Sequence, residues 1–495
     1  MQVDSMLWPL IAFLLYWTVI EILNKRGILE KHGFKSYGPI LMLRTKRGLE
    51  LVEKISKARI LWKFLTNLGI PMLFFAMFFM LLLVIFADIV MILSPPQPSE
   101  LTSPQASLLI PGINPFIPLV WGFIGLVIAI VVHEMAHAIL CRVEGIKVKA
   151  LGLILALFPI GAFAEPDETE LLDKKTKRIS KIRIFSAGVT GNFLVAFIAF
   201  AIFFHFLQFL NPVPVVVDDN GAFVAKVLAV NGEKAGDLSK LIKVNELNLI
   251  TLENSSGRYT VEVYGVWGVK VTGLYREDNK VYPAELAGIK SGSLITKVDG
   301  KEVRSLEDFR KEMGKRKPGQ EVEIEVYDPT SNSFETFRLI LTENNGRAFI
   351  GVYLANFECV GGVNFFNSTH IVSSLSQIPS QLKDPVMWLL LISIPFQFRG
   401  FMGLESFFDN EIYIFWALNA LYWTAWINFY VALFNSLPAS PLDGGRVFQE
   451  TLSAILRKLG DRGEKISSQI TKAMSIFVFA SIAMMILVPN LANLR

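Results

Sequence analysis

Cysteine is nearly absent from this 495-residue chain: the two present, Cys141 and Cys359, are too few for a disulfide framework. Cys141 closes an apolar run and Cys359 falls in a polar stretch, so no disulfide is expected between them. Charge is scarce as well. Only 19% of residues are charged while 52% are hydrophobic, and the mean hydropathy is +0.45. That balance excludes an ordinary soluble globular chain and points to a membrane protein. The segment Ser94 to Phe116 contains no Lys or Arg at all. The net charge of +4 comes mainly from basic loops elsewhere, which sets nucleic acid aside as a partner.

Long apolar runs are plentiful. A helix needs about 20 apolar residues to cross a hydrocarbon core of about 30 Å, and six runs reach that length: Leu7 to Leu23, Ile70 to Leu93, Ile117 to Cys141, Phe185 to Leu210, Glu411 to Phe434 and Thr471 to Val488. No basic residue precedes the first, and Ile22-Leu23-Asn24-Lys25-Arg26 lacks a small-residue cleavage site, so it is expected to stay as an anchor. Lys and Arg crowd the loops from Lys25 to Lys63, from Arg142 to Arg183 and from Arg446 to Lys465. By the positive-inside bias those loops are cytoplasmic, and both termini face outward. A shorter apolar stretch, Val386 to Ile394, reads as interfacial or as a cap on the core; the alternative is a buried helix of the soluble region.

Between the fourth and fifth runs, Asn211 to Asn410 has ordinary charge and β-rich alternation, as expected of a water-soluble insertion on the outer side. Within it, Leu294 to Val298 leads into an Asp299-Gly300 turn, a Ser305-Leu306-Glu307-Asp308 helix start and a strand from Glu321 to Tyr327. From about Gly268 to Leu354 this resembles a PDZ domain, and Gly268-Val269-Lys270-Val271 is similar to the loop that receives a peptide carboxyl end. Gly221 to Val227 with Ala235-Gly236 resembles a weaker copy, so a tandem or split arrangement is open.

The third run ends in His133-Glu134-Met135-Ala136-His137. Four residues make slightly more than one helical turn, so both imidazoles can address one Zn²⁺ while Glu134 stands beside them to take a proton from water. HExxH also occurs by chance, but two histidines and a glutamate are costly in an apolar spanning segment and usually mark a function there. Only five histidines exist, and His32, His205 and His370 have no metal-spaced partner.

Zinc needs a third protein ligand. Asn435-Ser436-Leu437-Pro438-Ala439-Ser440-Pro441-Leu442-Asp443-Gly444-Gly445, at the end of the fifth run, can supply Asp443 on irregular backbone; it also reads as a plain helix end followed by a cytoplasmic turn. The third and fifth runs point the same way, which brings both motifs to one depth. A helix rises about 24 Å from Ile117 to His133, so that depth is the inner leaflet.

The paired HExxH and Asn-x-x-Pro-x-x-Pro-Leu-Asp-Gly motifs resemble the site-2 protease family of intramembrane zinc metalloproteases. The resemblance implies His133, His137 and Asp443 as ligands of one Zn²⁺ per chain, Glu134 as catalytic base, and Asn435 as a contact to the cleaved segment's backbone. Phe158 to Asp167, including Gly161 and Phe163, is similar to a re-entrant β-hairpin that pairs with an unwound substrate, and Gly188-Val189-Thr190-Gly191-Asn192 is similar to an element packed against the site.

The fold class expected is therefore a polytopic α-helical membrane protein of about six transmembrane helices, with a re-entrant β-hairpin and a soluble PDZ-like β-rich insertion. Residues 1–116 carry two accessory helices and a basic loop, 117–210 and 411–495 form the protease core, and 211–410 form the insertion. The expected function is hydrolysis of peptide bonds in or near transmembrane segments of membrane proteins already cut on the outer side, with the lipid bilayer as surroundings and the active site toward the cytoplasm. A metal transporter would repeat histidines and carboxylates along several helices, and a non-catalytic binding protein on the same fold would lack Glu134 or a ligand; neither pattern is present.

Overall fold

The computed structural model describes residues 3–46, 48–156, 158–173, 175–277 and 280–491. It divides into two compact units: residues 1–205, 386–400 and 416–495, and residues 206–385 with 401–415.

The first unit is helical. Four of its helices are long and apolar enough to cross a membrane: Arg59–Leu93, Leu119–Val143, Arg178–Phe209 counting its final 3-10 turn, and Asp461–Asn490. The first and fifth apolar runs are also helices, Val3–Lys25 and Ile412–Asn435. The latter carries Asn419, Thr424 and Asn428, and all three are buried, as expected where polar groups are kept from lipid. Helix Arg59–Leu93 begins well before Ile70. At 35 residues it is about 52 Å long, more than a hydrocarbon core, so its basic start extends beyond the apolar layer. Lys63 near that start reaches Glu144, which also takes bonds from Ser180 and Arg183 and ties three helix ends together.

Close helix contact depends on small residues. A Cβ added at Gly125 would lie 2.7 Å from the Trp423 carbonyl, so the HExxH helix and helix Ile412–Asn435 touch along their backbones there. The short helix Pro385–Gln397 packs into the same unit: Trp388 meets Phe75 edge-on, and the Ile392 carbonyl accepts from the Tyr430 hydroxyl.

A four-stranded antiparallel sheet completes this unit, in the order β1 (Phe34–Tyr37), β2 (Ile40–Thr45), β3 (Val148–Ala156) and β4 (Phe158–Pro166). The hairpin around Phe158 thus has a second hairpin beside it, drawn from the basic stretch after the first helix, with Leu43 opposite Leu153. One outer edge of the sheet belongs to β4.

The second unit is built on β5 (Pro214–Val217), β6 (Phe223–Val230), β7 (Glu233–Lys234), β8 (Leu247–Asn254), β9 (Gly257–Tyr264), β10 (Trp267–Leu274), β11 (Leu294–Val298), β12 (Lys301–Glu302), β13 (Glu321–Asp328), β14 (Ser333–Ile340), β15 (Thr342–Asn344), β16 (Arg347–Phe349), β17 (Val352–Leu354), β18 (Glu358–Val360) and β19 (Val363–Asn367). The main path runs β14-β13-β11-β10-β18-β19-β5-β6-β8-β9, which is two similar halves end to end. In each half a strand turns at a left-handed pair, Asn231-Gly232 or Asp299-Gly300, into a two-residue strand, then a helix, Leu238–Leu241 or Leu306–Met313, then a long hairpin. Each half has its own hydrophobic core. The weaker copy expected at Gly221 to Val227 falls in the half that repeats this order of elements.

One expectation is corrected here. Gly268-Val269-Lys270-Val271 is no ligand loop: it is the centre of β10, with Val269 and Val271 buried and the strand paired to β11 on one side and to β17 and β18 on the other. Its backbone groups are already used. The open groove of that half, a cavity of ≈ 650 Å³, lies instead between helix Leu306–Met313 and residues 346–354, lined by Leu306, Phe309, Met313, Ile350 and Val352.

Candidate active site

The HExxH sequence occupies the C-terminal half of helix Leu119–Val143, and Asp443 opens helix Asp443–Ile455 after an irregular stretch containing Pro438 and Pro441. Gly444 permits the tight return: a Cβ there would sit 2.2 Å from the Ser436 carbonyl. Although 306 residues separate His137 from Asp443, their side chains meet.

His133 Nε2 and His137 Nε2 are 3.2 Å apart, and Asp443 Oδ2 lies 3.1 Å from the first and 3.0 Å from the second. All three side chains are largely buried. The partners of the other ring nitrogens fix the protons. His137 Nδ1 lies 2.7 Å from the Ile184 carbonyl, which can only accept, so Nδ1 carries the hydrogen. His133 Nδ1 faces Asn192 Oδ1 at 3.2 Å, and the Asn192 amide is oriented by its NH₂ donating to the Ala129 carbonyl. Both rings therefore turn Nε2 toward the other ring and toward a carboxylate oxygen.

Two imidazole nitrogens and a carboxylate oxygen converging on one point are a donor set that zinc takes. A tetrahedral zinc with bonds of about 2.0–2.2 Å has ligand–ligand edges of about 3.3–3.6 Å, and the observed separations of 3.0–3.2 Å are shorter than the lower end of that range by a few tenths of an ångström at most. His133, His137 and Asp443 form the one group among the described residues with this donor set. The residues present fit a zinc ion.

Space for that cluster depends on Gly188 in helix Arg178–Phe206. A Cβ there would lie 2.5 Å from both imidazoles. Gly188 belongs to the Gly-x-x-Gly-Asn segment that sequence reading singled out, though the residue itself was not named as a site residue; the signal was the glycine spacing beside Asn192.

A cavity of ≈ 310 Å³ opens onto His133, Glu134, His137 and Asp443, and is also lined by Ala164, Asn435 and Arg446. Glu134 accepts a hydrogen bond from the Ala164 N–H of β4 at 2.8 Å. The structure thus brings together His133, Glu134, His137, Asn192, Asn435 and Asp443. Gly161 and Phe163 lie farther along β4 and do not line this cavity. Phe163 pairs with Gly152 and lays its ring over that glycine, where a Cβ would be 2.1 Å from it. Arg446, whose guanidinium stacks on Phe185 at 5.4 Å, is a lining residue the sequence did not flag.

Two histidines and an aspartate converging inside an apolar helical bundle, with a glutamate one residue from a ligand, define a metal-dependent hydrolase of the membrane. A sequence model of Peptidase family M50 matches residues 121–478. The chain belongs to Peptidase family M50, the site-2 protease family. Among relatives, an uncharacterized protein of Methanocaldococcus jannaschii is 26% identical over 481 residues, covering 97% of this chain and 93% of that protein. A putative zinc metalloprotease of Clostridium perfringens is 26% identical over 66% of this chain and 86% of its own length. Among solved structures, the PDZ domain of an SdrC-like protein from Listeria monocytogenes is similar to 18% of this chain and 86% of its own, at 28% identity and a TM-score of 0.15.

Proposed function

We propose that this protein is an intramembrane zinc metalloprotease that cuts membrane proteins in or near their transmembrane segments, with His133, His137 and Asp443 holding one zinc ion and Glu134 acting as general base. The observation that carries this reading is the mutual approach of His133 Nε2, His137 Nε2 and Asp443 Oδ2 at 3.0–3.2 Å beside Glu134. Zinc held there supplies Lewis acidity to a water and to the scissile carbonyl. Glu134 takes the proton of the attacking water and returns one to the leaving amine. Asn192 keeps His133 in the tautomer that presents Nε2. Asn435, on the cavity wall, is placed to hydrogen-bond the backbone of the segment being cut.

A peptide bond inside an intact helix is shielded, so the substrate must be extended at the point of cleavage. The open edge of β4 offers backbone partners to such a segment by strand addition, with Gly161 and Phe163 on the same strand. The charge bias of the loops supports six spans in a multi-pass cell membrane, with both termini and the insertion outside and the zinc toward the cytoplasm. In the insertion, the groove beside helix Leu306–Met313 has the free edge of β17 and suits an extended chain end. It acts as a filter that admits substrates already shortened outside. Deleting about Gly268 to Leu354 raises the cleavage of substrates with large outer domains relative to short ones; an unchanged ratio in folded protein would remove the filter.

The test of the function itself is cleavage of a model single-span substrate by purified protein. Chelation should stop cleavage and added zinc should restore it. Undiminished cleavage by fully chelated protein would end the zinc protease reading.

A further inference from the structure

The open edge of β4 and the Glu134 carboxylate occupy each other. Ala164 stands opposite Leu151 in the sheet register, yet its N–H points away from β3 and donates to Glu134 Oε2 at 2.8 Å. Backbone groups alternate sides along a strand with a period of two. Ala162, opposite Leu153, therefore turns its N–H and C=O to the same open side, while Phe163, opposite Gly152, turns its own toward β3. Any chain that adds to β4 beside Ala164 needs the N–H that Glu134 already holds. A bond from a backbone amide to a carboxylate is charge-assisted and stronger than an amide–amide bond, so the displacement has a cost.

We infer that the Ala164 N–H is a positioning group shared between the base and the substrate: with the edge empty it holds Glu134 at the strand, and an extended polypeptide adding to β4 takes that N–H and releases the carboxylate for proton transfer. This rests on the reading of β4 as the pairing edge. The occupant is defined by its chemistry. It must offer a free backbone carbonyl in register with Ala164, which an intact helix cannot do because its carbonyls are bonded internally. Selection for unwound segments then resides in the base as well as in the strand edge, since a helix passing the site leaves Glu134 where it is.

The experiment uses full-length, zinc-loaded protein and an extended apolar peptide whose scissile bond is replaced by a reduced amide. Its affinity is measured for the wild type, Glu134→Ala and Glu134→Gln, with zinc content determined on the same samples, and amide hydrogen exchange is followed over residues 158–166. Removing the competing carboxylate should tighten peptide binding about tenfold or more in Glu134→Ala, with Glu134→Gln, an uncharged acceptor, in between. The Ala164 amide should exchange faster in peptide-free Glu134→Ala than in wild type, and slowly again once peptide is bound. Equal or weaker peptide affinity in zinc-loaded Glu134→Ala, with β4 exchange unchanged, would overturn the competition and leave strand pairing intact. A peptide that neither binds nor protects β4 in any of the three proteins would overturn strand pairing, and this inference with it, while leaving the zinc assignment standing.

Discussion

Polar groups are buried in both units, but in opposite ways. In the second unit Asn248 is fully buried with every side-chain valence matched: its NH₂ donates to the Lys243 and Glu246 carbonyls, and its oxygen accepts from the Lys243 N–H and the Asn231 amide. In the first unit His133, His137 and Asp443 are largely buried and turn two Nε2 atoms and a carboxylate oxygen toward one point. A matched polar group rigidifies a turn, and here it pins the start of the β8–β9 hairpin. A buried cluster of two imidazoles and a carboxylate converging on one point is a donor set for a metal, and that marks chemistry. The contrast separates structural from functional burial without reference to motif.

The comparison breaks most visibly at Glu134. Glu134→Gln should reduce cleavage by about 10²-fold or more while zinc content stays at the wild-type level, since the base is removed and the ligands remain. Gly188→Ala comes next. Its new methyl group has no room beside the two imidazoles, so zinc content should fall measurably with helix content, by circular dichroism, unchanged; full zinc loading in this variant would show that the cluster is looser than the geometry implies.

On the other side, Asn248→Ala should lower the stability of the insertion by about 1–3 kcal/mol, read from its own unfolding transition, because it orphans buried backbone groups. Zinc content should not change. The smallest effect concerns Asp219, whose carboxyl is held below its ordinary value chiefly by the hydrogen bond from Lys270, with a second from Asn364. A lowered folded value means this contribution is present above the ordinary carboxylate range and is lost as pH falls through the folded value. Asp219→Asn should therefore flatten, slightly, the acid side of the insertion's stability profile.

Much of the site was legible because each half of it is a local pattern. HExxH reads from helical spacing alone, and the Pro-bounded Leu442-Asp443-Gly444 segment reads as irregular backbone at the end of an apolar run. What could not be read were features made by distant partners. β1 and β2 are short and weakly patterned, and their place in the sheet depends on pairing with residues more than 100 positions away, as in Leu43 with Leu153. Gly268 to Val271 was misplaced because a glycine before alternating valines suits a ligand loop and a central strand equally; pairing on both edges decides it, and pairing is a property of the fold. Gly188 was visible as a glycine but not as the space it leaves for two histidines.

The central claim is that His133, His137 and Asp443 hold one zinc, and metal analysis of purified wild-type protein beside Asp443→Ala tests it most directly. The wild type should carry one zinc per chain and Asp443→Ala well under half of that, since two imidazoles alone make a weak site. Full zinc occupancy in folded Asp443→Ala, or none in the wild type under zinc-replete purification, would contradict it.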